Sequence, residues 1–187
     1  MNKINFTANL IKHVQISKKN NRGEYIPDVV SIVELDKNDK NDTDALHKTA
    51  IEWYFMKDRF SYDIYSEAIK GYEYDNINRE HYFAVTEQTK DFSTLDSNKI
   101  LGLMLFSNTN DDVDEINFLQ VRPDINKKQS VNRKYKGVGK AFTDLLKEIN
   151  YKKPIMVKAT SDAKNFYLKQ GFKFKQNEPK TILYLEV

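Results

Sequence analysis

The sequence predicts a mixed chain of the α/β or α+β class, on three observations. Strand-like and helix-like segments interleave along the whole length. A strand–glycine loop–helix unit stands late in the chain, around Gly137-Val138-Gly139. And 187 residues, 40% of them hydrophobic, suffice for one core in a single domain over residues 1–187, without help from metal or disulfide.

The elements follow in order. Residues 10–17 and 29–35 read as strands, the second rich in β-branched side chains, with a turn-rich connection at residues 18–23. Residues 36–44 are polar and loop-like. Their alternating Asp36, Asn38 and Lys40 do not make a calcium loop: lysine holds a ligand position, Asn41 replaces the turn glycine and His47 the bidentate glutamate. Asp44 is positioned to cap a helix running to about Lys57, with Leu46, Ala50, Ile51 and residues 53–55 as its apolar stripe. Ser61 is positioned to cap a second, with Tyr65, Ala68, Ile69 and Tyr72 at helical spacing. The aromatic clusters of this pair read as core, with the lining of an acceptor pocket as the alternative.

Strands are expected at residues 82–86, 100–107 and 115–121, with a polar connection at 87–98 and a hairpin turn at 108–112. A helix over residues 139–150 carries Ala141, Phe142, Leu145, Leu146 and Ile149 on one face. A short strand at 154–159 precedes a helix that Ser161 would cap and Gly171 would end. Residues 172–175 and 181–187 are the closing strands.

Composition removes several chemistries. The chain has no cysteine, which excludes disulfides, cysteine nucleophiles and thiolate metal sites. His13, His47 and His81 show neither metal nor triad spacing, so no metal is expected. No signal-like apolar core opens the chain, and no apolar run approaches the ~20 residues of a membrane helix. A cytoplasmic protein with no membrane segment is the expectation. The net charge of +3 divides unevenly: residues 121–187 carry +10 and residues 1–120 carry −7. Such a basic C-terminal part suits a phosphate-rich ligand, either a nucleotide cofactor or nucleic acid.

The glycine loop gives that ligand a place. A strand ends at Leu119-Gln120-Val121, and Gly137-Val138-Gly139 opens a helix after Arg133, Lys134 and Lys136, with Lys140 following. Glycine lets backbone approach a ligand without an intervening Cβ. The first helical N–H groups are unpaired, and the helix dipole favours an anion there. The same glycines would also serve a helix that packs tightly, and spacing alone does not choose. The loop is neither a P-loop nor a dinucleotide fingerprint, lacking the lysine–serine ending and the third glycine respectively.

Lys134-Tyr135-Lys136-Gly137-Val138-Gly139-Lys140-Ala141 resembles the coenzyme A pyrophosphate loop of the GNAT acyltransferases, Gln/Arg-x-x-Gly-x-Gly/Ala, with Lys134 where the family prefers Gln or Arg. Ala163-Lys164-Asn165-Phe166-Tyr167-Leu168-Lys169-Gln170-Gly171-Phe172 resembles its later motif, Ala-x-x-Phe-Tyr-x-x-x-Gly-Phe. The resemblance covers residues 80–187 well and 40–80 as a helix pair of the expected kind. Residues 1–40 add N-terminal strands beyond a minimal member.

The resemblance implies a mixed, mostly antiparallel sheet with splayed central strands, flanked by helices. It implies acetyl-CoA as co-substrate: pantetheine against the backbone of Leu119, Gln120 and Val121, and pyrophosphate on Arg133, Lys134, Tyr135, Lys136, Gly137, Val138, Gly139 and Lys140. Thr160 and Asn165 are further candidate contacts, although many members carry Asn where Thr160 stands. Tyr167 matches the family tyrosine that faces the coenzyme sulfur, and a phenol of reference pKa about 10 can donate to a departing thiolate. Glu115 stands where some members place a catalytic glutamate; others use a water chain as base. The implied activity is N-acetyl transfer to a primary amine. The alternatives are toxin-like acetylation of aminoacyl-tRNA, although no RNA motif is present, and a non-catalytic coenzyme A-binding role. Family members often form homodimers.

Overall fold

In the computed structural model the described residues are 8–56, 60–70, 79–108, 112–125, 133–149, 152–176 and 178–186. Tyr72, Asn150 and Val187, and most of the turn expected at 108–112, lie outside them. The strands are β1 (Asn9–Lys19), β2 (Tyr25–Leu35), β3 (Arg79–Thr86), β4 (Ile100–Asn108), β5 (Asp114–Val121), β6 (Tyr135–Lys136), β7 (Ile155–Lys158) and β8 (Ile182–Leu185). The helices are α1 (Lys40–Phe55), α2 (Phe60–Lys70), α3 (Val138–Glu148) and α4 (Lys164–Lys169). This is the mixed α/β class expected. The eight strands make one sheet in the order β6-β1-β2-β3-β4-β5-β7-β8. Every pairing is antiparallel except β5 with β7.

The sheet buries both faces. One carries α3 and α4 over Phe106, Ile116, Phe142, Leu146, Val157 and Tyr167, all buried. The other carries α1 and α2 over Leu46, Trp53, Ile64, Tyr82, Leu103 and Leu105. Alternation along β4 feeds both layers: Met104 and Phe106 face the first, Leu103 and Leu105 the second. Burying side chains of this size contributes roughly 1.5–3 kcal/mol each in transfer free energy.

Gly102 in β4 brings α3 close to the sheet. A Cβ at this position would lie 2.7 Å from Val138 Cγ1 and 2.8 Å from Phe142 Cε2. Gly102→Ala is therefore expected to destabilise the fold by about 1–3 kcal/mol through overpacking. Chemical denaturation checks this; an unchanged midpoint would mean that α3 shifts without cost.

Several boundaries differ from expectation. α1 starts earlier than Asp44, because Asp39 caps it: the Asp39 carboxylate accepts from the Asn41 and Asp42 N–H groups. α2 begins at Phe60, which puts Ser61 inside the helix. β2 begins before Pro27, where β3 does not reach: β3 pairs only with residues 31–35 of β2. α4 is preceded by a turn in which Thr160 O accepts from the Ala163 and Lys164 N–H groups, so Ser161 is not the cap. Of residues 172–175, only Lys173 bridges, to Tyr184.

The aromatic stripe of α1 and α2 is also corrected. Consecutive helical residues point about 100° apart, so residues 53–55 cannot share one face. Trp53 is fully buried, while Tyr54 and Phe55 are 53% and 80% exposed. Tyr62 and Ile69 are exposed as well, and so is Ile149, expected on the inner face of α3.

Candidate functional site

β5 carries the geometry that matters most. Its register with β4 passes from Leu105 opposite Phe118 to Phe106 opposite Ile116, leaving Asn117 as an extra residue. A bulge of this kind bends the strand and increases its twist. Asn117 is pinned there, its Oδ1 accepting from Ser107 Oγ at 2.7 Å. Below the bulge, Asp114, Glu115 and Ile116 pair in parallel with Ile155, Met156 and Val157. Above it, residues 117–121 of β5 have no ladder partner in β7. The β5–β7 ladder ends at Ile116 and Val157, one residue before β7 itself ends at Lys158, and this junction lies two strands in from the β8 edge of the sheet. Leu119, Gln120 and Val121 stand on the unpaired stretch, held on their other side by Met104, Leu103 and Gly102 of β4. Such an edge leaves backbone N–H and C=O groups open to a partner.

α3 begins at the upper end of this opening. Its N-cap, Gly137, has φ 96°, in the left-handed region, and offers no side-chain cap. The first N–H groups of α3 are thus left for another acceptor. Gly139 has a different neighbour from the one its motif suggests. A Cβ there would lie 3.1 Å from Phe166 Cζ and 3.7 Å from Val121 Cγ2. Tight packing of α3, α4 and β5 accounts for this glycine, whereas backbone conformation accounts for Gly137.

The basic segment before α3 is fixed rather than loose. Arg133 O accepts from Tyr25 Oη at 2.8 Å, and Lys134 O from the Lys19 N–H at 2.7 Å. Tyr135 and Lys136 form β6 against Lys18 and Ser17. Tyr135 is buried and donates to the Glu87 carboxylate. Burial, then that carboxylate, push its hydroxyl up to about 12, so it remains a donor at neutral pH. Lys136 Nζ lies 3.4 Å from the Tyr25 ring centroid, and Lys140 pairs with Asp144. Val138 is buried beneath this loop.

The two candidate catalytic side chains lie on different faces. Tyr167 belongs to the core under α3 and α4, with ring centroids 5.0 Å from Phe166 and 5.2 Å from Phe172. It is 5% exposed, and burial pushes its hydroxyl well above the ordinary tyrosine range. It has no hydrogen-bond partner among the described residues. Glu115 sits opposite Ser107, and strand alternation puts it on the α1 and α2 face, half-buried. Burial raises its carboxyl, and the nearby Lys158 cation opposes that in part. The two are therefore arranged across the sheet, not side by side. Thr160 and Asn165 are exposed, and Thr160 Oγ1 lies 3.4 Å from the Ala163 N–H, inside its own turn.

Sequence reasoning missed Lys158, which nothing in the motifs marks, and β6, too short for a periodic signal. It also missed a cavity of about 680 Å³ between β1 and α3, lined by Lys12, Ile16, Tyr25, Lys136, Gly137 and Lys140. Lys140, Asp144 and Glu148 edge this cavity at helical spacing, whereas Gly139 faces Phe166.

A raised Glu115 has a consequence for any reaction in which it accepts a proton. Activity should fall as pH falls through its pKa, and burial moves that acidic limb above the ordinary carboxylate range. Lys158→Ala removes the opposing cation and should move the limb to still higher pH. A pH–rate profile checks this; a limb that does not move, or survives Glu115→Gln, removes Glu115 as the base.

Fold and site together define a mixed α/β protein in which the one parallel strand pair stops short of a helix that opens at Gly137 without a side-chain cap. No family model matches the chain, and no curated protein shows significant similarity to it. No helix among the described residues is long and apolar enough to cross a membrane.

Proposed function

We propose that this chain is an acetyl-CoA-dependent N-acetyltransferase of the GNAT kind, acting on a primary amine. One observation carries the reading: β5 runs on beyond its ladder with β7, leaving residues 117–121 without a partner on that side, with the uncapped start of α3 at their upper end. An extended amide-bearing chain such as pantetheine suits the free edge of residues 117–121. A pyrophosphate suits the N–H groups beyond Gly137, with Lys134, Lys136 and Lys140 adding positive charge.

The chemistry then follows. The amine must be neutral to attack the thioester carbonyl, and Glu115, directly or through water, takes its proton. The nitrogen–carbon bond forms, and the carbon–sulfur bond breaks as the tetrahedral intermediate collapses. Tyr167 gives its proton to the departing thiolate, and the second proton shed by the acylated nitrogen restores the phenol through solvent. The Tyr167 hydroxyl is protonated at neutral pH, as that role requires. The absence of cysteine is consistent with direct transfer.

Thiol release from acetyl-CoA across a broad panel of amines tests the reading. Amine-dependent release is expected. Measurable coenzyme A binding with no release for any amine would leave a binding protein in place of an enzyme.

A further inference from the structure

The segment that enters α3 is tied to the N-terminal strand pair at every step. Lys134 O accepts from the Lys19 N–H, Arg133 O from Tyr25 Oη, and Tyr135 and Lys136 pair with Lys18 and Ser17. Beneath them, Glu87 at the end of β3 accepts from Tyr135 Oη and pairs with Lys18 Nζ at 3.3 Å; Asp28 of β2 lies 3.4 Å from the same Nζ. Lys136 Nζ caps the Tyr25 ring. The next residue is Gly137, whose carbonyl accepts the first α3 bond, from the Ala141 N–H at 2.9 Å. A two-residue strand has little stability of its own. Its position must come from these contacts.

We propose that Tyr135, Glu87 and Lys18 are positioning residues, which brace β6 against β1 so that the first amides of α3 are held in place for the coenzyme pyrophosphate. The inference rests on the coenzyme reading above. Preorganised donors bind an anion more tightly than donors that must be ordered on binding, because the ordering cost is already met. None of the three acts on the reacting atoms. The brace also gives the N-terminal strand pair a role in ligand binding.

Tyr135→Phe removes the buried donor while keeping the ring, and Glu87→Gln removes the charge while keeping an acceptor. Two measurements are made on the full chain: coenzyme A affinity by calorimetry, and amide hydrogen exchange. In both variants coenzyme A affinity should fall roughly tenfold, the loss of about one charge-assisted hydrogen bond's worth of ordering. Exchange should quicken at the Lys19 and Ala141 amides and stay unchanged at Leu103 and Leu105 in β4. Lys40→Ala, at the exposed start of α1 and outside the brace, should leave affinity unchanged. Unchanged affinity in both variants, or exchange that quickens equally in β4, would overturn the brace. Failure of the unaltered protein to bind coenzyme A would instead sink the coenzyme reading, while the exchange pattern would still report on the brace.

Discussion

Tyr167→Phe should lower turnover by about 10²-fold, at the lower end of what one positioned proton donor supplies, and leave coenzyme affinity within about twofold. The reason lies in what the hydroxyl touches. It has no hydrogen-bond partner among the described residues, while its ring packs at 5.0 and 5.2 Å on Phe166 and Phe172. Phenylalanine keeps those contacts and leaves no protein partner unsatisfied, so stability should hold or rise slightly. A structural tyrosine would give the same stability and the same rate. Only a donor to the leaving thiolate gives a rate loss without a stability loss. Single-turnover rates with acetyl-CoA separate the two, and an unchanged rate removes Tyr167 from the mechanism.

Gly137 should show the largest effect on binding. At φ 96° an L side chain is strained by about 1–2 kcal/mol, so Gly137→Ala should destabilise the fold by that amount. Space is not the obstacle, since the nearest atoms to a Cβ there belong to Ile16, at 3.7 Å. Gly137→Glu adds a carboxylate at the start of α3, where the helix dipole welcomes it. That carboxylate would compete for the amides a pyrophosphate needs, and repel it. Coenzyme A affinity should fall by more than about a hundredfold, or roughly 3 kcal/mol. Gly137→Ala should cost about tenfold. Equal affinity in Gly137→Glu and the unaltered protein would place the pyrophosphate elsewhere.

The elements were legible where periodicity is long. β2, β4 and α3 stand within a few residues of their expected positions, because β-branched runs and helical spacing are local signals. The ends were less so: Asp39, not Asp44, caps α1, and both are aspartates in a polar run. The inner and outer faces of α1 were misjudged because three consecutive aromatics look like one apolar block. Trp53 alone faces inward.

The candidate site was legible in its residues and not in its geometry. Gly137 and Tyr167 stand out through their motifs. The unpaired stretch of β5 follows from where β7 ends and from the register around Asn117. Register is a long-range property, and no local pattern at Asn117 announces it. Gly139 shows the same limit: its spacing fits a ligand loop, while the atom nearest its missing Cβ belongs to Phe166. The contacts of Tyr135 with Glu87 and Lys18 join three distant stretches of chain, and only the folded arrangement reveals them.

The central claim is that coenzyme A lies in the opening between β5 and β7 with its pyrophosphate at the start of α3. Backbone amide NMR during a coenzyme A titration tests it most directly. The account predicts saturable shifts concentrated at residues 117–121 and 137–140, with smaller changes around Tyr167. Saturable shifts at Lys12, Gln15 and Glu148 with none at residues 117–121 would contradict it, as would no shift at millimolar coenzyme.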